Sequence, residues 1–347
     1  MTRYNIEKYN VEIDNFVKSN EKNLQFLRNK KIFLTGATGL VGTYMVDALL
    51  HDKAFPVEIY ALTRKVESAE ERFSKYKGDK RLHFVQGNLT EDITLEGENI
   101  DYVLHLASYT DPKNYALHPI DTMLINFNGC HRMLELAKKA NCKKFFLASS
   151  VEIYGTSTEE MTESNYGVVN CMDPRACYNE SKRACETLCA SYKAEHGLDF
   201  VVGRLCRLFG PTILSTDTKA LSQFIQKAIA GEDIVLKSKG EQQFSYLYVA
   251  DAVTGIFKLL EAGESGEAYN ISEENDVEKL KDIAGYIAKL NGKKVVFDLP
   301  SETESKGFSR AMKAVLPSEK IRALGWKPQV KVLEGIKRTC EILKELN

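Results

Sequence analysis

The sequence predicts an α/β protein in which a doubly wound parallel sheet is followed by a smaller C-terminal α/β lobe. Three features predict this. The stretch Lys31-Ile-Phe-Leu-Thr-Gly-Ala-Thr-Gly-Leu-Val-Gly42 runs from an apolar strand through a glycine turn into an amphipathic helix. Apolar strand segments then alternate with helical segments over short connections, the pattern of a parallel sheet covered on both faces. Beyond Gly210-Pro211 the elements become shorter and less regular, which sets off the lobe.

Residues 1–29 are polar, with Ile6, Val11, Ile13, Phe16, Leu24 and Leu27 at helical spacing; they predict a helical extension docked on the main domain. The main domain is expected over 30–205, with 246–262 returning to it; 206–245 and 263–347 form the lobe. In the first strand–turn–helix, Gly36 permits the tight turn, Gly39 lets a pyrophosphate approach the backbone, and Gly42 lets helix pack on strand. The helix, expected from about Thr43 to Leu50, would face the anion with its amide end. Val57–Lys65 is the second strand, ending in Thr63, Arg64 and Lys65 where an acidic residue would bind a ribose 2′-hydroxyl. A hydroxyl followed by two cations suits a 2′-phosphate and favours NADP over NAD.

Further strands are expected at Leu82–Leu89, Asp101–Ala107 and Lys144–Ser150, with a long helical region over 111–141. Gly36, Ala107 and Ser150 would then lie together at the carboxyl ends of strands, where such sheets bind ligands. Asp173-Pro-Arg-Ala-Cys-Tyr-Asn-Glu-Ser-Lys-Arg183 opens a helix that places Tyr178 and Lys182 one turn apart on one face. An ammonium beside a phenol favours the phenolate, which can take a proton from a hydroxyl while hydride leaves the same carbon. Ser150 adds a second hydrogen bond to that oxygen. Beyond Phe200–Pro211 come a helix near 219–230, a strand at 234–236, the run Gln243–Val249, a helix over 250–260 and a strand at 268–271. A helix over 277–290, a strand at 294–297, a Ser/Glu/Gly-rich loop at 301–309 and a terminal helix after Trp326 complete the lobe.

The bulk numbers exclude several classes. A chain of 347 residues, 44% hydrophobic and 27% charged, has ample material for a core. A net charge of −1 gives nucleic acid or an anionic membrane no electrostatic hold. No apolar run is long enough to span a bilayer and the start is polar, so a cytoplasmic location with no membrane partner is expected. The eight cysteines show neither C-x-x-C nor zinc spacing, so no metal is expected. Cys130, Cys185, Cys189 and Cys206 read as small core residues, and Cys171 and Cys177 as filler nearer the site.

Taken together, Gly36-Ala-Thr-Gly-Leu-Val-Gly42, His105-Leu-Ala-Ser108, Ser149-Ser-Val-Glu-Ile-Tyr-Gly155, Tyr178-Asn-Glu-Ser-Lys182, Phe209-Gly-Pro211, Tyr248-Val-Ala-Asp251 and Leu324-Gly-Trp-Lys-Pro328 resemble the extended short-chain dehydrogenase/reductase family. Its members include nucleotide-sugar epimerases, dehydratases and decarboxylases built on a Rossmann sheet. Pro174-Arg-Ala-Cys-Tyr178 looks most like UDP-glucuronate decarboxylases. The resemblance implies a bound NAD or NADP, a nucleotide-diphosphate sugar as substrate, a transient 4-keto sugar and a homodimer paired through helices around 126–140 and 178–196. It implies cofactor contacts at Gly36, Thr38, Gly39, Leu40, Val41, Thr63, Arg64, Asn88, Leu89, Leu106, Ala107, Ser108, Asn126, Tyr178 and Lys182. It implies Tyr178 as base, Lys182 as its tuner, Ser150 as the orienting hydroxyl, Glu152 as an acidic active-site residue, and Ser150, Arg175, Arg207 and Phe244 on the substrate side.

The departures are specific. Dehydratases acting on dTDP-glucose carry Asp-Glu where this chain has Val151-Glu152. The family usually has Asn at position 207 and Arg at 244, here Arg207 and Phe244, and acidic residues near Asn88 and Thr63. Epimerisation, 4,6-dehydration and 4-keto reduction are the neighbouring reactions. A cofactor sensor or scaffold is the competing class, against which the retained Ser150, Tyr178 and Lys182 argue.

Overall fold

The computed structural model describes residues 2–93, 95, 97, 99–110, 112–156, 160–298 and 312–346, with backbone alone at 112–114. Seven strands form one sheet: β1 (Lys30–Thr35), β2 (Val57–Thr63), β3 (Leu82–Gln86), β4 (Tyr102–His105), β5 (Lys144–Ser150), β6 (Phe200–Leu205) and β11 (Glu267–Ile271). They run in the order β3-β2-β1-β4-β5-β6-β11, every pair parallel. Helices cover both faces, so central strands are apolar on both sides: Phe33, Val103, Leu104, Phe145 and Phe146 are fully buried.

The order reverses between β1 and β4, and there the chain leaves no room for side chains. A Cβ on Gly36, whose φ is +73°, would lie 2.9 Å from the Ala107 nitrogen. A Cβ on Gly42 would lie 2.3 Å from the Gly36 carbonyl oxygen. The helix α2 (Leu40–Leu50) therefore starts directly from the turn, three residues earlier than its apolar periodicity indicates. The 111–141 region forms two helices, α4 (Pro112–Leu117) and α5 (Pro119–Lys139), separated by His118 ahead of Pro119. Helix α6 (Cys177–His196) packs against α5, entered by the single turn Pro174–Ala176 that Asp173 caps.

The strand at 267–271, assigned above to the lobe segment 263–347, instead extends the main sheet by pairing with β6. Its residues Tyr269 and Ile271 are buried where an edge strand meets α8 (Val249–Ala262). The lobe itself uses short pairings. The strand β7 (Arg207–Phe209) runs parallel to β10 (Tyr246–Tyr248), and β9 (Gln243–Phe244) joins β12 (Glu278–Lys279) and β14 (Lys313–Ala314). Parallel β8 (Ile234–Leu236) and β13 (Val295–Phe297) complete it, with α7 (Ala220–Ile229), α9 (Leu280–Leu290) and α11 (Val332–Leu346). The 301–309 loop lies outside the described residues.

The N-terminal extension is a brace. Helix α1 (Glu7–Leu24) buries Tyr9, Ile13 and Phe16. The buried Asp47 on α2 accepts from Arg3 Nε at 2.8 Å and from the hydroxyls of Tyr4 and Tyr9. Arg3 also donates to the carbonyl of Arg72, whose own guanidinium reaches Thr43 and the Thr212 carbonyl. Thr212 in turn donates to the Leu40 carbonyl at 2.8 Å. Extension, glycine-turn helix and lobe are thus joined by one buried polar chain, where each partner satisfies a group that burial would otherwise penalise.

Candidate active site

The glycine turn forms a cradle at the carboxyl edge of β1. Gly36, Thr38, Gly39, Leu40 and Val41 are partly exposed in a stretch whose neighbours are otherwise buried. Gly39 takes the N-cap position and offers no side-chain oxygen, so amides of the first turn remain for an anion. Beside it, Leu106, Ala107 and Ser108 follow β4; the Ala107 amide donates to Thr35 Oγ1 at 3.0 Å. Ser108 donates to Asn126, and the buried Asn126 donates to Ser181 on α6. Asn88 and Leu89 follow β3, with Leu89 packed against Gly129. Thr63 lies at the end of β2, its hydroxyl engaged with the Lys65 backbone, and Arg64 is exposed. These residues fit a dinucleotide: a backbone cradle, an uncapped helix end and a cation past β2.

Two strands along from β1, α6 is pinned to the end of β5. Lys182, only 3% exposed, donates to the Ala148 carbonyl at 2.8 Å, and Asn179 donates to the Glu152 carbonyl at 2.6 Å. The Lys182 Nζ lies 5.9 Å from the centre of the Tyr178 ring, one turn earlier. Ser150 caps a single turn, Val151–Tyr154, by accepting the Glu152 amide at 3.2 Å. Tyr178, Lys182, Ser150 and Glu152 are thus gathered at one strand end. His105, on neighbouring β4, is fully buried beside Thr35; burial, reinforced by the Lys182 charge, pushes its imidazole down to about 3. It is neutral at physiological pH and adds no second cation next to Lys182.

Five contacts escaped the sequence reading. Tyr115 on α4 stacks on Tyr178 with ring centres 4.6 Å apart, and the Arg175 guanidinium sits 4.7 Å from the Tyr115 ring. Arg175 also pairs with Glu152 at 3.4 Å. Glu186, two turns beyond Tyr178, accepts from Ser149 and pairs with Arg204. Tyr115 had no sequence signal, because the chain separates it widely from its partner. Glu186 had one: positions 178, 182 and 186 share a helix face.

In the lobe, Arg207 stands on β7 with its guanidinium 3.5 Å from the Phe244 ring centre. Among the described residues its buried Nη1 has no hydrogen-bond partner, and neither has the buried Ser272 Oγ just past β11. Phe244 itself is buried beneath that cation. Burial, partly offset by the Arg207 charge, pushes Tyr246 up to about 12, so it stays a neutral phenol. Seven cysteines are buried and Cys171 is exposed, all of them free thiols. Among the described residues no cluster of His, Cys, Asp or Glu could hold a metal, and no helix is long and apolar enough to cross a membrane.

The chain matches the profile of the NAD dependent epimerase/dehydratase family over residues 32–272. It is 30% identical over 316 residues to UDP-glucuronic acid decarboxylase 6 of Arabidopsis thaliana, an alignment covering 90% of this chain and 88% of that protein. It is likewise 30% identical over 317 residues to UDP-glucuronic acid decarboxylase 1 of Xenopus tropicalis, covering 91% and 72%. The solved structure of an epimerase from Methanothermobacter thermautotrophicus shares the fold with a TM-score of 0.82 at 23% identity, covering 95% of this chain and 96% of that one.

The geometry of the turn yields a direct prediction. In Gly42→Ala the new methyl meets backbone, which cannot swing aside, so the turn must open. NAD and NADP affinity should fall at least about tenfold, with a stability loss on the order of 1–3 kcal/mol. Calorimetric titration and urea unfolding check it; unchanged affinity contradicts the cradle.

Proposed function

This chain belongs to the NAD dependent epimerase/dehydratase family, and we propose that it converts a nucleotide-diphosphate sugar through a transient 4-keto intermediate, with decarboxylation of UDP-glucuronate as the reaction. The observation that carries the reading is the gathering of Ser150, Tyr178 and Lys182 at the carboxyl end of β5, two strands from the glycine cradle at the same edge of the sheet. In this reading Tyr178 takes the proton from the C4 hydroxyl, Ser150 orients that oxygen, and Lys182 holds the cofactor ribose beside the phenol. The cradle residues Gly36, Thr38, Gly39, Leu40 and Val41 hold the pyrophosphate of NAD or NADP. The remaining cofactor contacts would come from Thr63, Arg64, Asn88, Leu89, Leu106, Ala107, Ser108 and Asn126. When bound, the cofactor supplies the acceptor for the C4 hydrogen and returns it.

Decarboxylation suits what flanks these residues. A C4 ketone lies β to the C6 carboxylate, so the C5–C6 bond can break with its electron pair flowing into the ketone oxygen and CO₂ departing. Ser150 and Tyr178 then stabilise the enolate oxygen as charge develops there. Loss of water instead needs a proton delivered to the departing hydroxyl, and Val151 cannot donate one. Glu152 is held by Arg175, which is therefore partly committed as a carboxylate ligand. Arg207 is the stronger anion ligand: a buried guanidinium nitrogen without a partner is costly unless an anion accepts from it. We read Arg207, on its Phe244 platform, as the anchor of the diphosphate. The test is UDP-glucuronate with NAD or NADP, expecting released CO₂ and UDP-pentose. No CO₂, with conversion of a neutral UDP- or dTDP-hexose, would move the assignment to epimerase, dehydratase or ketoreductase. No turnover of any sugar nucleotide, with NAD still bound, would favour a sensor or scaffold.

For the cofactor, the exposed Arg64 and the Thr63 hydroxyl support NADP over NAD. Calorimetry should show tighter binding of NADP, and Arg64→Ala should remove most of that preference. Tighter NAD, with no effect of the substitution, would identify Arg64 as solvated surface.

For assembly, α5 exposes Ile120, Met123, Leu124 and Phe127, with Leu117 just before it. Alongside, α6 exposes the small Thr187, Ala190, Ser191 and Ala194. An apolar face beside a small-residue face supports a homodimer through α5 and α6, centred on the N-terminal half of α5. Sedimentation at micromolar concentration should give a dimer that Phe127→Glu dissociates; a wild-type monomer contradicts it.

A further inference from the structure

We infer that Arg204 is a positioning residue for the turn Ser150–Tyr154, gripping both of its ends so that Ser150 meets the same substrate oxygen as Tyr178. The inference rests on the roles of Ser150 and Tyr178 proposed above. Those two side chains come from different elements, and a hydrogen bond to one oxygen tolerates little error in their separation.

Arg204 lies on β6 directly beside Ser149 of β5 in the parallel register, and it is buried. Its guanidinium has two arms. On one, Nη2 and Nε meet the Glu186 carboxylate at 2.8 to 3.3 Å, and the Glu186 Oε1 accepts the hydroxyl of Ser149, the residue preceding Ser150. On the other, Nη1 donates to the Tyr154 hydroxyl at 2.9 Å, at the last residue of the turn, and to the Glu163 carbonyl at 3.1 Å. Tyr154 passes its own proton to Asn270, which reaches the carbonyls of Met161 and Pro317. One planar cation thus ties the start of the turn, through Glu186, to the helix that carries Tyr178 and Lys182. It ties the end of the turn to the wall of the sheet. Lysine keeps the charge but cannot span both arms, since it lacks the planar fork.

Among the described residues none of these groups hydrogen-bonds to the side chain of Ser150, Tyr178 or Lys182, so Arg204 acts through Ser150 and not beside it. The test uses the NAD-loaded protein carrying Arg204→Lys, Glu186→Gln or Tyr154→Phe. Hydrogen exchange should quicken at the amides of 149–155 by about tenfold or more, with the glycine turn at 36–42 and NAD affinity unchanged. With the sugar nucleotide that the enzyme turns over, kcat of Arg204→Lys should fall roughly ten- to a hundredfold while KM changes little. In a Ser150→Ala background the same substitution should cost less than about threefold, because the group it positions is already gone. Protection lost uniformly across the sheet, protection unchanged at 149–155, or equal rate penalties in both backgrounds would each overturn the inference. Where Arg204→Lys fails to fold, Tyr154→Phe carries both comparisons, since it releases one end of the turn by a single oxygen. The exchange measurement needs no substrate. A failed reaction assignment therefore leaves it standing, while unchanged exchange sinks the positioning role alone.

Discussion

Lys182 holds an ammonium in a place with almost no solvent, and much of the site follows from how that charge is accommodated. A buried cation is expensive unless its donors are taken up. Among the described residues Lys182 has no carboxylate partner; one donor goes to the Ala148 carbonyl and the Tyr178 ring lies 5.9 Å away. In the proposed reading its remaining donors would meet the ribose hydroxyls of the cofactor. That one bond also ties α6 to β5 two residues before Ser150, so the charge and the geometry of the site have a common origin. His105, driven neutral by burial and by Lys182, adds no second charge beside the ammonium.

The glycine cradle and the Tyr178–Lys182 pair were legible because each is local. A turn that admits no Cβ must be written with glycine, and a helical pair must be written four residues apart. Strand and helix alternation was legible for the same reason, as periodicity survives without knowledge of partners. What stayed hidden depends on chain segments that meet late. The strand at 267–271 has ordinary length and composition, and only pairing with β6 shows which sheet it extends. Tyr115 reaches Tyr178 from a different helix, and Arg204 clamps a turn some fifty positions earlier. The N-terminal extension read as a docked helix, whereas its buried Arg3–Asp47 link to the glycine-turn helix and its relay through Arg72 to Thr212 needed coordinates.

The substrate side is the part where local pattern and chemistry diverge most. Arg207 and Phe244, two positions where the sequence departs from the pattern its resemblance implies, form one unit in the fold, the guanidinium 3.5 Å from the ring centre. Among the described residues this guanidinium has no carboxylate partner, and the aromatic face takes up part of its charge. Its free nitrogen is then the feature of the lobe that most directly calls for an anion. Glu152 and Arg175 show the opposite arrangement, a carboxylate and a guanidinium that already pair with each other one turn from Ser150.

In the proposed mechanism Tyr178 exchanges a proton with the sugar, and replacing its hydroxyl alone tests this most directly. In Tyr178→Phe the Tyr115 stack and the Lys182 bond remain, so cofactor affinity should stay within about twofold while kcat falls on the order of a hundredfold or more. With the substrate labelled by deuterium at C4, the wild type should return the label to its product and the variant should leave the substrate unoxidised. Near-normal turnover in Tyr178→Phe would contradict the account.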